Sequence, residues 1–301
     1  MKKLVFLFVQ LKSFLPYIYG FRRKSMSVNS KLTAEEKVHI ARHISRPHID
    51  DFIENIFTDF FEQKGDHLFD EDLSIYGGIA RYRQYPVTVI GHRKGHSAED
   101  NIRFNFGMPR PEGYRKALRL MKQAEKFGRP IITFIDTPGA FPGKEAEEHG
   151  QGEAIAKNLA AMSSLRVPVI TVVTGEGNSG GALALSVANR ILMLENAVYS
   201  VLSPEGFASI LWKDSSRRAE ACDLMKLTAH DLMDAGVADE VIAEPEGGAH
   251  LNPDFLYRAL DDVLYKHFCE LKDLSAEELV ADRRTKFRNI GRETAAISIT
   301  G

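Results

Sequence analysis

Apolar residues recur along the chain with two different periods. Runs of β-branched and other apolar residues at 131–136 and 167–174 predict buried strands, and runs at 75–82 and 86–91 predict a strand pair. Between 111 and 127, apolar side chains instead recur every three or four positions, which indicates an amphipathic helix. Buried strands that alternate with amphipathic helices are typical of an α/β fold.

Further helices follow from capping residues and from helical spacing. Thr33 and Glu36 form a capping-box pattern and predict a helix start. Apolar residues at helical spacing from 49 to 60 predict one helix, which Gly65 interrupts. The Ala/Leu-rich segment that begins at Gly180 predicts a helix ending near position 189.

The strand at 167–174 leads into a glycine-rich segment. We expect 175–179 to form a turn and Gly180 and Gly181 to open the following helix. The first N–H groups of a helix have no partner within it, and the helix dipole adds positive potential there. The segment therefore predicts a site for an anion or for an oxyanion formed during a reaction. The alternative is a tight turn whose small residues allow close packing.

Two other segments carry candidate chemistry. The loop at 137–143 contains Gly139 and Ala140 and follows the strand at 131–136, where ligands bind in open α/β folds. The loop at 92–96 is basic, and both a phosphate contact and a solvated loop remain open for it. A basic stripe on the helix at 111–127 leaves the same two possibilities; it consists of Arg115, Arg119, Lys122 and Lys126.

Composition narrows the class of protein. The chain has 301 residues, 44% of them apolar, and a net charge of -2, which argues against a general nucleic-acid binder. Cys222 and Cys269 are the only cysteines, so the sequence offers no zinc site and no metal site is expected. Such sparse cysteine use is typical of a reducing compartment, and we expect a cytoplasmic protein.

The composition shows no break between Lys31 and Val280, which favours one domain, and this domain is expected to span 30–290. Residues 1–29 are interpreted as an N-terminal extension outside the fold, with Met26 as a possible start, and 291–301 as a C-terminal tail. The apolar run near the N-terminus is too short to span a membrane. An interfacial anchor is the alternative for this segment.

The glycine-rich segment also matches two other motifs. Gly175, Gly177 and Gly180 spell G-x-G-x-x-G, which would suit a dinucleotide. The G-x-S-x-G pattern centred on Ser179 would suit a serine hydrolase, although no Asp/His pair is recognisable downstream.

Four longer motifs occur in a fixed order: N-F-G-M-P-R-P-E-G-Y-R-K-A-L-R-L-M from position 105, I-T-F-I-D-T-P-G-A-F-P-G from 132, G-E-G-N-S-G-G-A-L-A-L from 175, and L-S-P-E-G-F-A-S-I-L-W-K from 202. Together they resemble the alpha subunit of bacterial acetyl-coenzyme A carboxylase carboxyltransferase. The resemblance implies a crotonase-like α/β fold of repeated ββα units with flanking helices. It also implies transfer of a carboxyl group from carboxybiotin to acetyl-CoA, which gives malonyl-CoA for fatty acid biosynthesis.

The same resemblance implies a site built from backbone. Gly180 and Gly181 would supply an oxyanion hole that faces the urea carbonyl of biotin. Residues expected to contact biotin or CoA are Gly139, Ala140, Gly177, Asn178 and Ser179. No side-chain base is then required, because the biotin anion can take the acetyl proton and the protein positions groups and stabilises charge.

The implied partners are a beta subunit in an α2β2 heterotetramer, the biotin carboxyl carrier protein that bears biotin, and a biotin carboxylase that uses ATP. The beta subunit would carry zinc, the second oxyanion hole and most of the CoA pocket. Nucleic acid and membrane are not expected as partners.

The sequence departs from the usual family pattern at a few positions. Asn178 stands where glycine is usual, and we expect it to tolerate a left-handed backbone. Lys144 and Glu145 replace small residues, and His149 replaces arginine. Two alternatives stay open, namely a carboxyltransferase for another acyl-CoA such as propionyl-CoA and a diverged, non-catalytic assembly subunit.

Overall fold

A computed structural model describes residues 32–292 of the chain. The predicted N-terminal extension, 1–29, lies outside the described residues, and so does the predicted C-terminal tail beyond position 292.

Eight strands form one mixed sheet. Their spatial order is β1-β2-β3-β4-β5-β6-β8, with β7 paired to the far end of β5. The pairs β1/β2 and β2/β3 are antiparallel, and all other pairs are parallel. The strands are β1 Thr58–Glu62, β2 Ile75–Tyr82, β3 Tyr85–His92, β4 Ile131–Thr137, β5 Val169–Asn178, β6 Arg190–Leu194, β7 Val198–Ser200 and β8 Glu240–Ile242.

Helices connect and cover the strands. They are α1 Ala34–Ala41, α2 Ile49–Ile56, α3 Ala98–Arg103, α4 Pro111–Lys126, α5 Lys144–Glu148, α6 Gln151–Ser164, α7 Ser179–Leu183, α8 Pro204–Trp212, α9 Arg218–Met225, α10 Ala229–Asp234, α11 Pro253–Leu271 and α12 Ala276–Asn289. Short 3₁₀ turns lie at Asn105–Gly107, Ser215–Arg217 and Ala249–Leu251.

The two central strands are the most deeply buried part of the sheet. Every residue of β4 and β5 is buried, as expected for parallel strands that read as near-continuous apolar runs. Helix α4 packs on β2, β3 and α6, whereas α11 contacts α2, β5 and β8. The predicted α/β architecture is therefore confirmed, and the ends of β4 and β5 lie side by side.

A buried arginine near the C-terminus ties the helical layer to the sheet. The guanidinium of Arg283, from α12, donates hydrogen bonds to the backbone carbonyls of Met162 and Leu165 at 2.8 and 2.9 Å. It also donates to the carbonyl of Val167 at 3.2 Å and to Oδ1 of Asn189 at 2.6 Å. Burial lowers the pKa of Arg283 to about 10. One side chain thus satisfies the carbonyls around the connection between α6 and β5.

The helix predicted from 49 to 60 is wrong in its second half. Helix α2 ends at Ile56, Phe57 adopts extended backbone, and β1 begins at Thr58 and pairs with β2. Apolar side chains at 57 and 60 are compatible with both a helix and a strand, and only pairing with β2 selects the extended backbone. Phe57 is buried in the core, whereas Phe61 is 68% exposed.

The predicted turn and helix around Gly180 also need correction. Residues 175–178 continue β5, because Glu176, Gly177 and Asn178 pair in parallel with β7. Helix α7 ends at Leu183 instead of near Asn189. The strand extension depends on a segment some twenty residues further along the chain, which local propensity does not reveal.

Candidate active site

Strand β5 ends in an abrupt bend. Asn178 is still extended, Ser179 has a left-handed backbone with φ 60°, and Gly180 and Gly181 lie in the first turn of α7. A non-glycine residue in this conformation is strained, and such residues cluster at functional sites. Since α7 has only five residues, its individual N–H groups matter more than a helix dipole.

The loop after β4 packs directly against this bend. A methyl group on Gly181 would lie 2.5 Å from the nitrogen of Ala140 and 2.6 Å from the carbonyl carbon of Gly139. Gly139 itself has φ 140°, and its N–H donates to Oγ1 of Thr137 at 3.0 Å. The structure therefore brings together Gly139, Ala140 and Gly181, and close packing explains why position 181 must be glycine.

Gly180 is different from its neighbour. A methyl group there would meet only the side chain of Ile155, at the ordinary distance of 3.6 Å. Packing within this chain does not require glycine at position 180. Gly180 also lines a cavity, in which another molecule can approach its backbone.

A largely apolar cavity of about 640 Å³ adjoins the bend. Its walls include Ser179, Gly180, Leu183, Tyr199, Ser200, Val201, Leu202, Phe207, Leu224, Met225, Lys226, Leu232 and Val237. None of these described lining residues is a histidine, an aspartate or a glutamate. Ser179 thus lacks a general base on this side, which counts against the serine hydrolase interpretation.

The other glycines of the segment serve packing. A methyl group on Gly177 would lie 2.6 Å from the ring of Tyr199, and one on Gly175 would lie 2.3 Å from the carboxylate of Asp136. Both residues belong to β5, whereas a dinucleotide motif needs its glycines at the turn between strand and helix. The geometry therefore does not support the dinucleotide interpretation.

Asn178 does not take up the left-handed backbone that we expected at this position. Its backbone is extended, with φ -115° and ψ 140°. The buried side chain donates from Nδ2 to Oε2 of Glu176 at 3.2 Å and accepts from Oγ of Ser200 at 2.8 Å. The departure from glycine thus adds hydrogen bonds below the bend, and the left-handed residue is Ser179.

A cluster of charged side chains comes from β4, from β5 and from the loop that follows β3. Nζ of Lys94 lies 2.8 Å from Oδ1 of Asp136 and 3.1 Å from Oε1 of Glu176. Burial acts to raise the pKa of Asp136, but Lys94 and His48 outweigh it and hold that pKa below its ordinary value. Burial acts to lower the pKa of Lys94, and the two carboxylates reverse this and raise it. Sequence pattern alone did not predict this cluster, although charged residues at or just after the ends of adjacent apolar strands were a visible signal.

The basic segments turn out to be bound internally. Arg93 pairs with Asp50 at 2.6 Å, so the loop at 92–96 presents neither Lys94 nor Arg93 as a free cation. On α4, Arg115 pairs with Asp66 at 2.7 Å, and Arg119 donates to the carbonyl of Gly65. Only Lys122 and Lys126 of that stripe are exposed.

The remaining departures lie away from the bend. Lys144 is exposed on α5 and pairs with Glu148 at 3.2 Å, and Glu145 is exposed on the same helix. Nδ1 of His149 lies 3.1 Å from Oε1 of Glu112, and its ring contacts Phe69 edge to face. The structure does not bring these residues to the contact between Gly139 and Gly181.

Comparison with known proteins matches residues 20–291 to the family model described as acetyl co-enzyme A carboxylase carboxyltransferase-like. The chain belongs to this family. A relative from Anoxybacillus flavithermus, named acetyl-coenzyme A carboxylase carboxyl transferase subunit alpha, is 59% identical over 88% of this chain and 81% of its own. One of the same name from Geobacillus kaustophilus is 57% identical over 88% of this chain and 82% of its own.

Solved structures of carboxyltransferases share the fold of this family member. A transcarboxylase 12S structure superposes with a TM-score of 0.60 at 20% identity, covering 80% of this chain but only 46% of its own. The beta subunit of Pseudomonas aeruginosa geranyl-CoA carboxylase gives 0.60 at 16% identity, covering 82% and 46%. These matches confirm the predicted crotonase-like fold.

Two further observations concern the described part of the chain. Across residues 32–292, no helix is long and apolar enough to cross a membrane. In the same range, no three or more His, Cys, Asp or Glu side chains are grouped so that they could hold a metal ion.

Proposed function

We propose that this chain is the alpha subunit of an acetyl-CoA carboxylase carboxyltransferase. With a beta subunit it transfers the carboxyl group of carboxybiotin to acetyl-CoA and forms malonyl-CoA, the first committed step of fatty acid biosynthesis. The observation that carries this proposal is the family match over residues 20–291, together with relatives that are 57% and 59% identical over most of the chain.

In this proposal the N–H groups of Gly180 and Gly181 form an oxyanion hole. Both glycines lie in the first turn of α7; Gly180 lines the apolar cavity, and the backbone of Gly139 and Ala140 packs against the buried Gly181. Backbone donors held in advance at the place where negative charge develops cost no reorganisation during the reaction. Contacts with biotin or CoA are assigned to Gly139, Ala140, Gly177, Asn178 and Ser179, the last of these at the cavity wall.

The cavity suits biotin as a bound cofactor. When bound on its carrier protein, biotin supplies the activated carboxyl group and a urea oxygen on which charge develops. Leu183, Val201 and Leu224 offer an apolar wall for the ring system, and Ser179 and Gly180 of α7 line the same cavity. The residues of this chain bind and orient the ring and exclude water from it.

The finer assignment of partners follows from the same proposal. A beta subunit would complete the site with the second oxyanion hole, the CoA pocket and a zinc ribbon, in an α2β2 assembly. The biotin carboxyl carrier protein and an ATP-using biotin carboxylase would supply carboxybiotin in the cytoplasm. Pseudomonas malonate decarboxylase, solved as a hetero-tetramer in complex with coenzyme A, shares the fold with a TM-score of 0.59 at 15% identity.

The test is reconstitution from two purified chains. The chain alone should form no malonyl-CoA from carboxybiotin and acetyl-CoA, whereas the mixture with its beta subunit should form it. Turnover by the isolated chain, or none by the assembled complex, would contradict the proposal. The ratio of kcat/KM for acetyl-CoA and propionyl-CoA then decides between these two acyl substrates.

A further inference from the structure

The pairing of β4 with β5 contains an irregularity just before both candidate site segments. The register passes from Ile135 opposite Val173 to Thr137 opposite Gly177. Asp136 alone therefore faces the three residues 174–176 of β5. Bulges of this kind bend a strand and are common next to active sites. Here the bulge lies three residues before Gly139 and a few residues before Gly180.

The carboxylate of Asp136 fills the bulge. It accepts a hydrogen bond from the N–H of Glu176 at 3.2 Å and lies against the backbone of Gly175, where a methyl group would come within 2.3 Å of Oδ1. The side chain of Glu176 returns to the same place and accepts from Nδ2 of Asn178 at 3.2 Å. Asp136 directly precedes the loop at 137–143, and Glu176 lies three residues before the bend at Ser179.

Lys94 bridges the two carboxylates from the end of β3. Its Nζ lies 2.8 Å from Asp136 and 3.1 Å from Glu176, and these carboxylate side chains are only 5% and 7% exposed. Two buried carboxylates this close repel each other unless a cation or a shared proton lies between them. Without Lys94, the repulsion would push the ends of β4 and β5 apart.

Other groups face this cluster from the elements packed around it. Arg42, at the end of α1, binds Glu176 at 2.9 Å and also Glu205 of α8. His48, which precedes α2, lies 3.3 Å from Asp136. His92 of β3 is buried, and burial lowers its pKa while the charges of Asp136 and Lys94 act on that pKa in opposite directions. Arg42 and His48 each approach one carboxylate of the pair, whereas Lys94 contacts both.

We propose that Lys94 is a positioning residue for carboxyl transfer: by clamping Asp136 to Glu176 across the bulge, it fixes the distance between the Gly139–Ala140 loop and the Gly180–Gly181 bend. This inference rests on the proposed function, because it assigns Lys94 to the geometry of that same site. Lys94 itself touches no reacting atom.

The first test replaces Lys94 by methionine in the complex with the beta subunit. Since a misplacement of about 1 Å costs up to roughly 100-fold in rate, kcat should fall about 10- to 100-fold with the KM for acetyl-CoA unchanged. Lowering the pH should restore part of the rate relative to wild type, because one carboxyl then takes up a proton and donates a hydrogen bond to the other. A purely structural role for Lys94 predicts no such recovery.

The second test is chemical rescue. Lys94 lines a cavity of about 330 Å³ together with Arg42, His43 and Asn101, so a small amine can reach the position of its Nζ. In the Lys94→Ala complex, ethylammonium should restore kcat severalfold and with saturation. Lys122→Ala removes an exposed lysine from α4 and serves as the matched control, with wild-type kcat and no response to the amine.

The outcomes separate this inference from the proposed function. An inactive wild-type complex contradicts the proposed function itself. An active wild-type complex whose Lys94→Met form keeps full kcat, or loses it with no recovery at lower pH or with amine, overturns the positioning role alone. If the Lys94 variants fail to assemble, Glu176→Gln decides, because it keeps shape and acceptor: kcat should fall while KM is retained, and unchanged kcat overturns the inference.

Discussion

The ends of β4 and β5 look alike in sequence but are held in different ways. After β4, side-chain hydrogen bonds fix the loop. Oγ1 of Thr137 accepts from the N–H of Gly139 and donates to its carbonyl, and Nε2 of Gln151 donates to the carbonyl of Phe141 at 3.1 Å. After β5, pairing with β7 carries the strand onward, and Ser179 makes the turn with strained backbone. Glycine-rich segments in one sheet can therefore owe their glycines to different physical needs.

The difference is sharpest between two adjacent residues. Gly181 faces the backbone of the β4 loop and has no room for a side chain, whereas Gly180 lines the apolar cavity and would meet only the Ile155 side chain at an ordinary contact distance. The first glycine holds the two strand ends together, and the second leaves the backbone accessible. Four substitutions or conditions, in order of decreasing effect, test this contrast.

Gly181→Ala should have the largest effect, because its methyl group would collide with backbone that cannot rotate away. We expect a loss of about 3 kcal/mol in the free energy of unfolding, at the upper end of overpacking costs, together with loss of carboxyl transfer. Urea unfolding of the chain and turnover of the complex measure the two effects. Gly180→Ala is the matched control and should unfold like wild type; equal stability of both variants would refute the contrast.

Gly180→Val should impair turnover far more than stability. Its branched side chain would press against Ile155 next to the backbone donors, and loss of one oxyanion-hole donor typically lowers kcat by about 100- to 1,000-fold. Stopped turnover with an intact complex, measured by gel filtration and malonyl-CoA formation, would support catalysis by this subunit. Unaltered turnover would favour the non-catalytic assembly role.

Acid should destabilise the fold through His92, which ends β3, the strand paired with β4, and is 1% exposed. Burial lowers its pKa from 6.5 to about 4. The folded state thus favours neutral His92, so its contribution is complete above pH 6.5 and is lost as the pH falls towards 4. The loss should reach about 3 kcal/mol.

Urea unfolding between pH 7 and pH 4 measures this dependence. His92→Gln should flatten the profile, whereas His39→Gln, at an exposed position on α1, should leave its slope unchanged. An equally steep profile for both variants would remove His92 as the cause.

Ser179→Gly should have the smallest effect. It relieves a left-handed backbone at a non-glycine residue and should raise the free energy of unfolding by about 1 kcal/mol. Because carboxyl transfer through backbone donors needs no serine nucleophile, kcat should stay within about threefold of the wild-type value. Complete loss of turnover at normal stability would instead assign Ser179 a chemical role.

Much of the architecture was readable from the sequence because local and global preferences agree there. The capping box at Thr33, the amphipathic pattern of α4 and the apolar runs of β4 and β5 each appear where predicted. Long, strongly periodic segments with clear caps leave few alternatives.

The rest depends on partners far away in the chain. The strand conformation of Thr58–Glu62 comes from pairing with β2, and the extension of β5 comes from β7. The bond of Lys94 to Glu176 joins residues 82 positions apart. The different neighbours of Gly180 and Gly181 exist only once Ala140 is in place, so sequence pattern alone treats the two glycines as equivalent.

The arginine that caps the connection between α6 and β5 has a consequence for biosynthesis. Arg283 is translated more than a hundred residues after Met162 and Leu165, the carbonyls of which it satisfies. A nascent chain cannot close this part of its interior until Arg283 has been synthesised. A premature stop codon before position 283 would therefore leave these buried carbonyls without donors, and we expect the truncated chain to be unstable and degraded by proteases.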